Sequence, residues 1–145
     1  MAHSFEPWSP ERTVEIIAAQ ADLEGPLLPI LHEIQAAFGH VPAAAVPIIA
    51  GALNLSRAEV HGVISFYHDF TAEPALGPTI KLCRAEACQA RGVEALVRAV
   101  EGRGTLEDVY CLGLCASGPA ALIDGRPVAR LTAERLLALM ETQGQ

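Results

Sequence analysis

The sequence predicts an α+β chain, a helical N-terminal half followed by a smaller β-α-β-β-α domain. Three observations predict it. Apolar residues recur at helical spacing, between recognisable caps, as far as Phe70. A Pro/Gly-containing stretch, AEPALGP at 72–78, then interrupts the pattern. Beyond it, short β-forming runs alternate with a helical run and lead to the hairpin signal Asp124-Gly125. The expected units are residues 1–72 and residues 78–145.

Each element has a local reason. Ser9-Pro10-Glu11 is a helix start, with a capping hydroxyl, a proline at the first helical position and an acid near the positive end. That helix carries Val14, Ile16 and Ile17 and fades near Asp22. A second helix follows Gly25-Pro26, with Leu27, Ile30, Leu31, Ile34 and Phe38 on one face and Gly39 as its C-terminal cap. A third covers about 43–53 and tolerates Pro47 if that residue falls in the first turn. Ser56-Arg57-Ala58-Glu59 has the capping-box pattern and opens a fourth helix, reaching about Tyr67.

In the second half, TIKLC at 79–83 reads as a strand and 91–101 as a helix, with Val93, Leu96, Val97 and Val100 on one face. Residues 106–110 read as a second strand. Residues 120–123 and 127–131 flank the hairpin turn, and Thr132 caps a last helix to about Met140. A domain of this size has a small core and usually needs a staple.

Composition narrows the function. The chain has 145 residues, 51% hydrophobic and 19% charged, which suits a compact fold and not a disordered one. Ten Lys and Arg against 17 Asp and Glu give a net charge of −7. That argues against nucleic acid and against an anionic membrane surface as partners. The most apolar window, 41–53, is broken by Pro42, Pro47 and Gly51 and is too short to span a membrane. The opening MAHSFEPWSPER has no apolar signal region, so the expected location is cytoplasmic, where structural disulfides are uncommon. Aromatics are only 5% of a chain rich in aliphatic residues. That composition suits either a buried face in a larger assembly or simply an alanine-rich protein.

All four cysteines lie in the second half. They read Cys83-x4-Cys88, then 22 residues, then Cys111-x3-Cys115, each pair beginning at the end of an expected strand. Two loop-borne pairs of thiolates suit a [2Fe–2S] cluster, two sulfurs to each iron. Zinc also accepts four thiolates, though its structural sites favour tighter C-x2-C knuckles. Thiol redox chemistry is the third reading, without a C-x-x-C motif to support it. Gly113 and Gly118 would let backbone N–H groups approach the sulfurs. Arg84 and Glu86 sit beside the first pair. The arginine would stabilise the charge added on reduction, unless both are solvated loop charges.

Other residues read as packing. His68-Asp69 within FYHDF has no companion nucleophile. His32, His40 and His61 lie in or beside amphipathic helices, and four thiolates already fill a cluster's needs. Trp8 reads as a packing residue. No Gly-rich dinucleotide fingerprint is present, so the chain is expected to bind neither NAD nor flavin itself.

With these motifs in place, the chain resembles the thioredoxin-like [2Fe–2S] subunits of NADH-oxidising complexes. These include the 24-kDa subunit of respiratory complex I, the matching subunit of NAD-reducing hydrogenases, and the gamma subunit of cytoplasmic NAD-dependent formate dehydrogenase. The resemblance runs through LLPILHEIQAAFGHVP (27–42), LSRAEVHGVISFYHDF (55–70), IKLCRAEACQARG (80–92) and VYCLGLCASGPAALIDG (109–125). It implies a helical bundle followed by a thioredoxin-like ferredoxin domain with one [2Fe–2S] cluster. Its implied ligands are Cys83, Cys88, Cys111 and Cys115. It also implies docking of the bundle onto a flavin-bearing, NADH-binding subunit. CRAEACQARG and CLGLCASGPA look most like the formate dehydrogenase branch, which implies a molybdopterin or tungstopterin subunit in the wider assembly. Thioredoxin-like folds often hold a cis proline where Pro119 lies, and either isomer is expected here. One departure is the connection between the cysteine pairs, where Glu101-Gly102-Arg103-Gly104 replaces a usually longer stretch. The loss falls in a connection, so the fold is expected to survive.

Overall fold

Four helices form first along the chain: α1 (Pro10–Ala19), α2 (Leu27–Phe38), α3 (Ala45–Leu53) and α4 (Arg57–Phe66). In this computed structural model, which describes residues 5–75 and 77–143, the starts of α1 and α4 are capped by side chains. The Ser9 hydroxyl accepts from the Arg12 N–H at 3.1 Å. Both bonds of the Ser56–Glu59 capping box are formed. Pro47 is the third residue of α3, where its missing N–H breaks no helical bond.

One apolar core joins these helices, with Ile30, Leu31, Ile34, Ile49 and Val60 fully buried. Among the described residues Thr13 is the buried polar one. Its hydroxyl donates to the Ser9 carbonyl at 3.0 Å and accepts from the Trp8 indole at 3.1 Å. The packing role expected for Trp8 is therefore tied to a specific bond. Gln35 fastens the segment after α4, donating to the Asp69 carbonyl and accepting from the Thr71 N–H. His32 stacks on Phe70, with ring centroids 4.9 Å apart.

The described residues fall into two compact units, one up to Pro74 and one from Ala75. The second contains β1 (Thr79–Cys83), α5 (Glu86–Ala90), α6 (Val93–Val100), β2 (Thr105–Val109), β3 (Ala121–Ile123), β4 (Arg126–Val128) and α7 (Ala133–Gln143). The sheet order is β2-β1-β3-β4. β1 pairs parallel with β2, from Thr79↔Thr105 to Cys83↔Val109, and antiparallel with β3. β3 and β4 form the expected hairpin, with Asp124 and Gly125 both at positive φ. Ile80 and Leu82 on β1, Val93 and Val100 on α6, and Leu136 on α7 fill the core.

The structure corrects three readings. The helix expected over 91–101 is present as α6, but a short helix that was not expected, α5, precedes it; the two are separated at Gly92, whose φ of 86° ends helical geometry. The hairpin strands are shorter than expected because both chains leave the ladder within three residues of the turn. Residues Cys115–Ser117 form a short 3₁₀ turn where only loop was expected. The peptide bond Gly118–Pro119 is cis. Among the described residues no helix is long and apolar enough to cross a membrane.

Candidate metal centre

Three chain segments meet at the cysteines. β1 is the inner strand that delivers Cys83, whose N–H donates to the Ala120 carbonyl at 3.0 Å. The next N–H, of Arg84, donates to the Val109 carbonyl at 2.7 Å. The end of β1 is thus pinned to the segment after the cis proline on one side and to the end of β2 on the other. The turn into α5 brings Cys88 back beside Cys83, and both are buried. The segment after β2 supplies Cys111 and Cys115, both exposed, with sulfurs 3.7 Å apart.

The backbone at the second pair is unusual. Cys111 has φ 81°, in the left-handed region that non-glycine residues rarely adopt. Gly113 follows at φ 74°, and its N–H points at the Cys111 sulfur across 3.4 Å. Strained φ values of this kind gather at functional sites because the surroundings must hold them in place. No residue pattern in the sequence signalled it.

The electrostatics show the thiols acting on one another. Burial pushes the Cys83 thiol up, but the N–H groups of Ala85, Cys111 and Leu112 and the Cys88 thiol bring it below its ordinary value. Cys88 is raised, first by burial, against the Ala120 N–H, with Cys83 and Cys115 adding to the rise. Cys115 is raised by its hydrogen bond to Cys111 and by charge there. Each member of the second pair, or its backbone, therefore registers at the first pair. Four thiolates so close repel one another, and a cationic centre among them would remove the conflict.

The residues fit such a centre. Two sulfurs bound to one tetrahedral metal at about 2.3 Å lie roughly 3.8 Å apart. The Cys111–Cys115 separation of 3.7 Å matches that spacing. Gly118 completes the cradle, since a Cβ there would lie 3.2 Å from the Cys88 sulfur. Among the described residues no group of three or more His, Cys, Asp or Glu is arranged around a single metal ion. The thiols are instead arranged as a buried pair and an exposed pair.

The charged residues beside the first pair are placed differently from expectation. Arg84 is not a solvated loop charge. It reaches Glu94 on α6 at 2.6 Å and Asp108 on β2 at 3.0 Å. Glu86 is exposed in the first turn of α5. His32 packs on Phe70, and the His40 ring nitrogen Nδ1 lies 3.0 Å from the Phe38 carbonyl.

Comparison with known proteins fixes the family. The sequence matches the thioredoxin-like [2Fe-2S] ferredoxin family over residues 13–143. The chain belongs to that family. Its cofactor is therefore one [2Fe–2S] cluster, and its fold is that of a thioredoxin-like ferredoxin. Among curated relatives, the HndA component of the NADP-reducing hydrogenase of Solidesulfovibrio fructosivorans is 28% identical, over 82% of this chain and 77% of the relative. A component of the NADH-quinone oxidoreductase of Escherichia coli (strain K12) is 31% identical, over 74% of this chain and 73% of the relative. A crystal structure of an NAD+-reducing [NiFe]-hydrogenase in the air-oxidised state superimposes with a TM-score of 0.66 at 30% identity. That match covers 81% of this chain and 22% of the hydrogenase chain, so this family member spans about a fifth of it.

Proposed function

We propose that the chain is the one-electron carrier subunit of an NAD-linked oxidoreductase complex, with Cys83, Cys88, Cys111 and Cys115 as the ligands of its cluster. The observation that carries this reading is the convergence of four free thiols, two buried and two exposed, in a chain of this family. The cluster when bound supplies reversible uptake of a single electron without making or breaking a bond. The chain's own residues do the rest. The sheet and α5 exclude water from Cys83 and Cys88, and the Gly113 N–H is placed to donate to the Cys111 sulfur. The exposed second pair leaves an edge that a partner's redox group can approach.

The partner in this reading is a flavin- and NAD-binding subunit in the cytoplasm, contacted through the N-terminal helical unit. Exposed Phe66 and Tyr67 at the end of α4 offer apolar contact area for it. The complex is read as an NAD-dependent formate dehydrogenase, with this chain as gamma subunit, because of CRAEACQARG and CLGLCASGPA. There, formate plus NAD⁺ would give CO₂ plus NADH, with formate oxidised at a molybdenum or tungsten centre on another subunit. The hydrogenase and NADH-quinone oxidoreductase relatives support the equivalent place in those complexes as the alternative.

The test is anaerobic purification, an iron and acid-labile sulfide assay, and EPR of the dithionite-reduced protein. Two irons, two sulfides and a spin-½ signal are expected. Zinc, or no metal, would overturn the reading. Co-purification with molybdopterin and flavin subunits would decide for the formate branch, and a nickel–iron or quinone-linked partner would decide against it.

A further inference from the structure

We infer that Arg91 is the cation that sets the reduction potential of the centre. The inference rests on the reading that the four cysteines hold one cluster, and it concerns a residue with no ligand role. Four thiolates make such a centre anionic, and one further negative charge arrives on reduction. A cation held nearby favours the reduced form, and net charge is one of the determinants of these potentials.

Two arginines lie close to the first cysteine pair. Arg84 is the more conspicuous in sequence, directly after Cys83. Yet its guanidinium is held between Glu94 and Asp108, at 2.6 and 3.0 Å. That triad carries one positive and two negative charges, so as a unit it offers the centre no positive field. Arg91 is different. Its N–H donates to the Cys88 carbonyl at 3.2 Å, which fixes its backbone beside that ligand. Its Cδ and the Cys88 sulfur both lie 3.2 Å from the point where a Cβ on Gly118 would be. The stem of Arg91 therefore packs over Gly118 next to the sulfur. Among the described residues its guanidinium makes no hydrogen bond and no ion pair. Its charge is thus uncompensated, carried at the exposed end of a stem that passes beside Cys88. The missing side chain at Gly118 is what lets the stem lie there.

The test measures the midpoint potential of the full-length, cluster-loaded protein by EPR-monitored redox titration. Arg91→Gln should keep two irons and two sulfides but shift the reduced-to-oxidised ratio at fixed potential about three- to tenfold toward oxidised. For a one-electron couple that is a fall of about 30–60 mV. Arg91→Lys, which keeps the charge, should recover more than half of the shift. The difference between wild type and Arg91→Gln should shrink as salt is raised, because an exposed cation is screened. A purely structural role would give equal shifts in the Lys and Gln variants and no salt dependence, and would overturn the inference. So would an unchanged midpoint in a fully loaded Arg91→Gln protein, or in Arg91→Met if the Gln variant loads poorly. A wild-type protein without iron and sulfide would instead refute the cluster reading itself.

Discussion

Leu82→Ala tests whether the small core of the second unit is what retains the cluster. Leu82 is fully buried on β1, between β2 and β3, and directly precedes Cys83. Truncating a fully buried leucine costs about 2–5 kcal/mol, from lost transfer energy and the cavity left behind. A unit of this size holds only about 4–10 kcal/mol in total, at 0.05–0.15 kcal/mol per residue. The change therefore removes a large fraction of its stability. Urea unfolding of the cluster-free chain, followed by circular dichroism, should show the loss directly, and the melting temperature should fall by at least about 8 °C. If the cluster leaves only when the sheet opens, a loss of 2 kcal/mol populates the open form about 30-fold more. Loss of visible absorbance to an iron chelator should accelerate by at least that factor. Val14→Ala, at a position 54% exposed, should change stability by no more than about 0.5 kcal/mol and leave release unaltered. A Leu82→Ala protein with the expected fall in stability but wild-type release kinetics would refute the reasoning. The cluster would then escape through its exposed edge without the buried pair opening.

Three further outcomes are expected. Cys111→Ser should lose or convert the cluster spectrum and lower the melting point of the loaded protein, since metal binding and folding are linked; an unchanged spectrum and melt would remove Cys111 from the ligand set. Phe66→Asp, at a side chain 74% exposed, should leave folding intact and weaken co-purification with the flavin-bearing partner; undiminished recovery of the complex would remove that face from the docking surface. Glu59 should contribute a pH dependence to α4, because the Ser56 N–H and hydroxyl depress its carboxyl pKa. A depressed folded-state pKa contributes stability above the unfolded value of about 4.3, which is lost as pH falls through the folded value. Glu59→Gln should therefore reduce the stability difference between pH 6 and pH 3, and an identical difference in wild type and variant would count against the capping role.

The elements with local causes were legible in the sequence. Ser9-Pro10, Ser56–Glu59 and Asp124-Gly125 each carry their own geometry, and the structure forms all three. The strand at 79–83 matches its β-forming composition to the residue. The misses had non-local causes. The α5 segment EACQA is too short to show a helical period, and it forms against Cys83 and the Arg84 carbonyl, which accepts from Gln89 at 2.8 Å. Left-handed backbone at Cys111 had no signal, since nothing in Tyr-Cys-Leu marks a turn. At the candidate site, the four cysteines were readable from spacing and motif. The different surroundings of Arg84 and Arg91 were not, because Arg84 finds Asp108 only through the parallel register of β1 with β2.

If the four thiols hold the cluster as proposed, their division into a buried and an exposed pair would give the site two distinct tasks. Cys83 and Cys88 sit on the end of an inner strand and a short helix, where backbone bonds to Val109 and Ala120 leave little freedom. In the proposed reading a potential is best fixed there, because displacement of a sulfur changes the field at a cluster most where water screens least. Cys111 and Cys115 sit beyond the sheet, on backbone bent through positive φ at Cys111 and Gly113. Tyr110 beside them is 72% exposed. Electron exchange without bond making needs closeness and not a shaped pocket, and an exposed pair flanked by an aromatic ring supplies closeness. Substitutions near Cys88 should therefore act mainly on the potential, and substitutions at Tyr110 mainly on the rate of exchange with the partner. Parallel redox titration and stopped-flow reduction of Arg91→Gln and Tyr110→Ala would separate the two. If Tyr110→Ala moved the midpoint as much as Arg91→Gln does, the division of tasks would fail.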